Sequence, residues 1–321
     1  MTTNALDDVR NLLTKLPPPN LQAADEMRAR IAEAGLFSAS SATARKAEWL
    51  AGWTGRSRPA LRKPLVAIFA GTHGVAPHGV SGSPLSATQD AVDACATGKS
   101  AISKLCLESD LGLKIFDLAL DLPTADFTVA PALDDRNAAA TVAFGMEALA
   151  DGTDILCVGA YGVGGSTAAA AILAALNPGD AIDWVPAPSH LVAARRANVI
   201  ETALALHREH LGNPLAVLQR LGGREFAAIA GAILAARFQS VPVVIDGPVG
   251  FAAACILERA QPGASAHCLL AAPLSGDRLN ALAAKAGMSA VLGQPVETLS
   301  HDPLDGAFAL QRLKAIASLV A

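Results

Sequence analysis

With 321 residues, 52% of them hydrophobic and only 4% aromatic, the chain is long enough to bury a complete α/β core built mostly from Ala, Leu and Val. Its net charge of −4 includes no basic run that would serve nucleic acid, and apolar stretches such as Phe226 to Ala236 fall short of the roughly eighteen residues of a membrane span. Five cysteines (Cys95, Cys106, Cys157, Cys255 and Cys268) lack any paired short spacing and read as small buried hydrophobes, not as a disulfide framework or zinc site; separately, no metal and no cofactor is expected.

The opening MTTNALDDVRNLLTK is polar and has no signal-peptide pattern, which sets the expectation of a cytoplasmic protein. Up to residue 60 the pattern is helical. Helices are predicted over Leu21 to Ala34 and Ala42 to Trp53, the first preceded by the break Pro17-Pro18-Pro19. Four short apolar runs follow, each closing in glycine or a polar turn: PLVAIFAGTHG (64–74), LKIFDLAL (113–120), DILCVGAYG (154–162) and VPVVIDG (241–247). Ala-rich helical stretches separate them. Strands buried on both faces and alternating with helices predict a parallel sheet covered on each side, and in such a sheet ligands sit at the carboxyl ends of the strands. Those ends carry Thr72-His73, Asp117, Gly159 to Thr167 and Asp246-Gly247.

The segment CVGAYGVGGSTAAAAILAAL (157–176) passes from a strand through four glycines into a helix. Glycines there let the backbone approach a ligand, and the helix start behind them offers unpaired N–H groups and a positive dipole end, so a phosphate is the natural guest of Gly162, Gly164, Gly165, Ser166 and Thr167. Tight packing of strand on helix is the other use of such glycines. Two motif look-alikes fail. Gly98-Lys99-Ser100 has the tail of a P-loop, but Asp93 stands where its first glycine belongs and a helical stretch precedes it. GVGGST (162–167) has Thr167 in place of the third glycine of a dinucleotide fingerprint.

Several stretches resemble, in order, one family: FAGTHGVAPHGVSGSP (69–84), VGAYGVGGSTAAAAILAAL (158–176), RRANVIETAL (195–204), NPLAVLQRLGGREFAAIAGAILAA (213–236) and VPVVIDGPVGFAAA (241–254) are similar to the nicotinate-nucleotide:dimethylbenzimidazole phosphoribosyltransferases of cobalamin biosynthesis. The resemblance spans roughly Ala42 to Leu310. It implies a Rossmann-like α/β domain, assigned to 61–289, and a small helical domain built from both chain ends, 1–60 and 290–321. It also implies a homodimer, for which Ala-rich, weakly charged helices such as Phe226 to Ala236 are expected to supply apolar surface. The implied substrates are nicotinate mononucleotide and 5,6-dimethylbenzimidazole; the products are α-ribazole phosphate and nicotinate.

That reaction needs one general base, to remove the proton from the second nitrogen of the attacking benzimidazole. Here the chain departs from the family. The glutamate after the first loop glycine is Ala160, and the loop asparagine is Gly165. Aligning LSHDPLDGAFAL (299–310) through Gly306-Ala307 puts Pro303 in the place of the catalytic glutamate. Asp277 stands where the family has a histidine, Thr72 replaces an aspartate and His78 a glutamate, and the basic pair is Arg195-Arg196. Asp302 and Asp305 flank Pro303 and are the candidate catalytic carboxylates, Asp305 having the better reach because it precedes Gly306; a solvated loop is the alternative for both. Arg196 is a candidate phosphate clamp. His73 and Ser81 are candidate contacts to the base, against a backbone-bonded turn histidine and a capping hydroxyl. Asp246 reads more as a structural acceptor than a site carboxylate. Two functions follow: the transferase, or a homologue that binds a ribotide or benzimidazole-like ligand without turning it over. The lost base alone would cost about 10²- to 10⁴-fold.

Overall fold

The structure, a computed structural model, describes residues 5–35, 37–185, 189–296 and 302–320. Residues 299–301, the start of the C-terminal motif, lie outside them. In chain order the regular elements are α1 (Asp7–Leu13), α2 (Leu21–Ala34), α3 (Ala42–Thr54), β1 (Pro64–Ala70), α4 (Ala87–Ala96), α5 (Ala101–Glu108), β2 (Gly112–Asp117), α6 (Asp135–Met146) and β3 (Ile155–Tyr161). They continue with α7 (Gly165–Leu176), α8 (His190–His207), α9 (Pro214–Leu221), α10 (Arg224–Phe238), β4 (Val243–Ile245), α11 (Gly247–Ala260), β5 (Cys268–Leu270), α12 (Asp277–Lys285) and α13 (Leu304–Leu319).

Helix starts follow their caps: Asn20 accepts from the Ala23 N–H at 2.9 Å, Ser41 from Ala44 at 3.1 Å and Ser100 from Ser103 at 3.1 Å. All seven residues of β1 are buried, as a central strand of a covered sheet requires, whereas β2 is half exposed at the sheet edge. The fifth strand, β5, is three residues long and absent from the four predicted runs. A run that short carries no readable period.

The sheet is wholly parallel, in the order β2-β1-β3-β4-β5. The crossover from β1 to β2 runs through α4 and α5 on one face, where Cys95, Ile102 and Cys106 join a core shared with α2, α3 and α13. The crossover from β2 back to β3 uses α6 on the other face, in a core with α7, α9, α10 and α11. The chain thus runs outward from β1 to β2 on one face and back past β1 to β3 on the other, which creates a switch point between β1 and β3, and its carboxyl end is where an open α/β sheet leaves a crevice.

One expectation is corrected. Phe226 to Ala236 supplies no surface for a second copy, because α10 is buried along Glu225 to Arg237 within the single chain. It packs against α6 at backbone contact. A Cβ on Gly145 would collide with the Ala228 carbonyl, and one on Gly231 with the Val142 carbonyl.

Candidate functional site

The crevice at the switch point is a cavity of about 620 Å³. The loop after β1 contributes Ser81 and Ser83 to its walls, α4 contributes Thr88, the end of β3 and the turn into α7 contribute Ala160 to Gly164 and Ser166, and α8 and α11 contribute Arg196, Pro248 and Val249. Of the predicted residues, Gly162, Gly164, Ser166, Arg196 and Ser81 are thus brought together around one space.

The turn is built to present N–H groups. Gly164 sits at φ +97°, a conformation costly for any other residue, and caps α7. The N–H groups of Gly165 and Thr167 turn back onto the carbonyls of Gly162 and Gly164 (3.0 and 2.9 Å), and Val163 donates to the Thr88 hydroxyl at 3.1 Å. Among the described residues this leaves the N–H groups of Gly164 and Ser166 for a guest at the positive end of α7, with the exposed Ser166 hydroxyl beside them. Gly165 and Thr167 lie behind this surface. Thr167 is completely buried, its hydroxyl without a protein partner among the described residues.

Arg196 reaches the cavity from α8 and anchors its wall: its Nε donates to the Val80 carbonyl at 2.6 Å, while Arg195 donates to that of Gly79 at 3.0 Å. Burial pulls the Arg196 pKa below its ordinary value, but a guanidinium keeps its charge in such a setting. Ser81 accepts from the Ser83 N–H at 3.1 Å, a local turn bond rather than a helix cap, and also lines the cavity.

His73 lies beneath the turn. Its Nε2 is 2.5 Å from Glu225 Oε1, and both side chains are essentially without exposure. Around the pair Gly71 and Gly223 leave no room for side chains: a Cβ on Gly223 would stand 2.7 Å from His73 and from Glu225, and one on Gly71 would overlap the Glu225 carboxylate. The pair supports the turn from below. The only sequence signal for Glu225 is its place behind Gly222-Gly223 at the start of a helix, inside a stretch that otherwise reads as core.

The carboxylates of the C-terminal corner are held by other groups. Asp302 accepts from the Tyr161 hydroxyl at 2.6 Å and from the Ile102 N–H at 3.2 Å, and Asp305 from the Val296 N–H at 2.6 Å, where burial raises its pKa. Asp246 accepts from the Gly306 N–H at 2.6 Å, and desolvation pushes its pKa up to about 7. Pro303 packs under β3, within 2.8 Å of where a Gly159 Cβ would be. His78 pairs with Asp126 at 2.6 Å, and Thr72 donates to the Leu120 carbonyl at 3.0 Å. Among the described residues no Asp or Glu lines the cavity, whereas Tyr161, which the sequence does not single out, does.

A parallel sheet with a helix start and an arginine at its switch point is an arrangement in which α/β folds can seat phosphorylated ligands. A family model described as phosphoribosyltransferase matches residues 16–294. The nicotinate-nucleotide–dimethylbenzimidazole phosphoribosyltransferase of Rhizobium rhizogenes (strain K84) is 53% identical over 270 residues, 82% of this chain and 79% of its own length. That of Rhizobium meliloti (strain 1021) is 52% identical over the same shares. The crystal structure of CobT from Thermus thermophilus superposes with a TM-score of 0.82 at 27% identity, covering 93% of this chain and 96% of the other. The chain belongs to the nicotinate-nucleotide–dimethylbenzimidazole phosphoribosyltransferase family and is a phosphoribosyltransferase.

Proposed function

We propose that the protein transfers phosphoribose from nicotinate mononucleotide to 5,6-dimethylbenzimidazole, giving α-ribazole phosphate and nicotinate, a step in making the lower ligand of cobalamin. The observation that carries the reading is the turn from Gly162 to Ser166 at the start of α7, which faces Arg196 across one cavity and suits a ribotide phosphate. With the phosphate held there, the ribose C1′ lies over the ends of β1 and β3. The C1′–nitrogen bond to nicotinate breaks with its electron pair returning to the pyridinium ring, which needs no acid. The acceptor's pyridine-like nitrogen bonds to C1′, and the proton on its other nitrogen goes to a base. Positioning supplies most of the acceleration. The base belongs to the corner of Asp302 and Asp305, and Ser81 with the loop after β1 walls the acceptor side.

The absence of a carboxylate from the cavity wall, among the described residues, favours a second reading, a homologue that binds the ribotide or a benzimidazole-like ligand without turnover. Chromatography of nicotinate and α-ribazole phosphate formed from the two substrates decides between them. The transferase produces both in equal amounts, and neither forms when one substrate is omitted. Binding of both substrates with no product over hours selects the binding protein.

We propose further that the protein is cytoplasmic and homodimeric. Among the described residues no helix is long and apolar enough to cross a membrane, and large apolar side chains such as Leu107, Leu122, Val129 and Leu191 stand more than half exposed. A monomer by light scattering at micromolar concentration contradicts the dimer.

A further inference from the structure

We propose that Tyr161 is the group through which the cavity passes a proton to Asp302, so that phenol and carboxylate together act as the base for which Pro303 leaves no side chain. The inference rests on the transferase reading for its chemistry, but its binding contact is testable without turnover.

Tyr161 ends β3 and lines the cavity beside Ala160 and Gly162. Its hydroxyl donates to Asp302 Oδ1 at 2.6 Å, and the other Asp302 oxygen accepts from the Ile102 N–H in the first turn of α5. Asp302 does not itself line the cavity, nor does any other carboxylate among the described residues. Tyr161 is the cavity-lining residue to which Asp302 is hydrogen-bonded. Cys95 Sγ lies 3.3 Å from the phenol oxygen, but its thiol donates to Ser100 Oγ at 3.1 Å, which leaves the phenol oxygen able to accept from a ligand N–H. Burial first, and then the hydrogen bond to Asp302, raise the phenol's pKa well above its ordinary value. The group therefore stays protonated at neutral pH and works by passing a proton on.

The step balances as follows. As the acceptor nitrogen bonds to C1′ and nicotinate leaves with the electron pair of the broken bond, the acceptor's N–H proton moves to the phenol oxygen. The phenol's own proton moves to the Asp302 carboxylate. Tyrosine is regenerated, the benzimidazole product is neutral in its second nitrogen, and the acid form of Asp302 later loses its proton to water.

A simple latch, fastening the segment before α13 to the end of β3, would use the same hydrogen bond. Calorimetric titration separates the two. The bases are 5,6-dimethylbenzimidazole and its N-methyl derivative, which has no N–H; the proteins are the wild type, Tyr161→Phe and Asp302→Asn. The proposal expects Tyr161→Phe to bind dimethylbenzimidazole about 3- to 10-fold more weakly, the worth of one hydrogen bond, while binding the N-methyl base as the wild type does. In turnover, Tyr161→Phe and Asp302→Asn each lower kcat by about 10²- to 10⁴-fold with the KM for the nucleotide unchanged. Equal effects on both bases, no effect on either, or no binding of dimethylbenzimidazole by the wild type overturns the proposal. A wild type that binds the base in this N–H-dependent way but releases no nicotinate removes the transferase reading and leaves the Tyr161 contact standing.

Discussion

At the scale of single residues, the surroundings of the cavity are built from side-chain pairs that are far apart in the chain. His73 and Glu225 are separated by 152 positions, and Tyr161 and Asp302 by 141. No local pattern announces either pair; the glycines of the α7 turn are legible because their spacing from strand to helix is itself the signal. Asp305 and Asp302 are legible only as neighbours of Pro303, and which of them touches a cavity residue depends on the path of β3. Asp246 gives a prediction at this scale. Its folded pKa of about 7 lies above the ordinary 3.8, so the folded state holds the proton more tightly than the unfolded chain. Its contribution to stability is complete below about pH 4 and is lost as pH rises through 7. Asp246→Asn keeps an acceptor for the Gly306 N–H and removes the ionisation. In denaturant titrations it should equal the wild type near pH 4 and exceed it by about 2 to 4 kcal/mol at pH 8. A variant less stable than the wild type at pH 8 contradicts this account of the carboxylate.

At the scale of elements, the apolar runs mark β1, β3 and β4 because a strand covered on both faces must be continuously hydrophobic, while β2 is marked as an apolar run although it lies half exposed at the edge; Leu21 to Ala34 and Ala42 to Trp53 are legible as helices, and each starts at a local cap. Order along the sheet and the burial of α10 are not legible. An Ala-rich helix with little charge reads equally well as an interface or as a centre, and here Gly145 and Gly231 decide it by letting α6 and α10 meet backbone to backbone. Gly231→Val should therefore cost about 3 kcal/mol or more, since neither helix can retreat without moving the sheet. A urea midpoint within error of the wild type contradicts that packing. Helices from the two chain ends, α2, α3 and α13, share one core, and that core is continuous with one face of the sheet.

At the scale of the whole molecule, the strand order places the carboxyl ends of β1 and β3 at a switch point, and everything the proposed reaction needs is gathered there: an anion-ready helix start, an arginine, a serine-lined wall and a phenol backed by a carboxylate. Fold and family membership are legible because long stretches match in order; the drift from the family's glutamates to Ala160 and Pro303 is legible too, but what replaces them is not, since it depends on which side chains the folded loops turn inward. The central claim is that this cavity seats the ribotide with its phosphate on the α7 turn. A crystal structure with nicotinate mononucleotide bound tests it most directly. The account predicts the phosphate within hydrogen-bond distance of the Gly164 and Ser166 N–H groups, with the ribose C1′ over the ends of β1 and β3 and the space beside Tyr161 left for the acceptor base. Nucleotide bound elsewhere on the protein, or an empty cavity at saturating nucleotide, would contradict it.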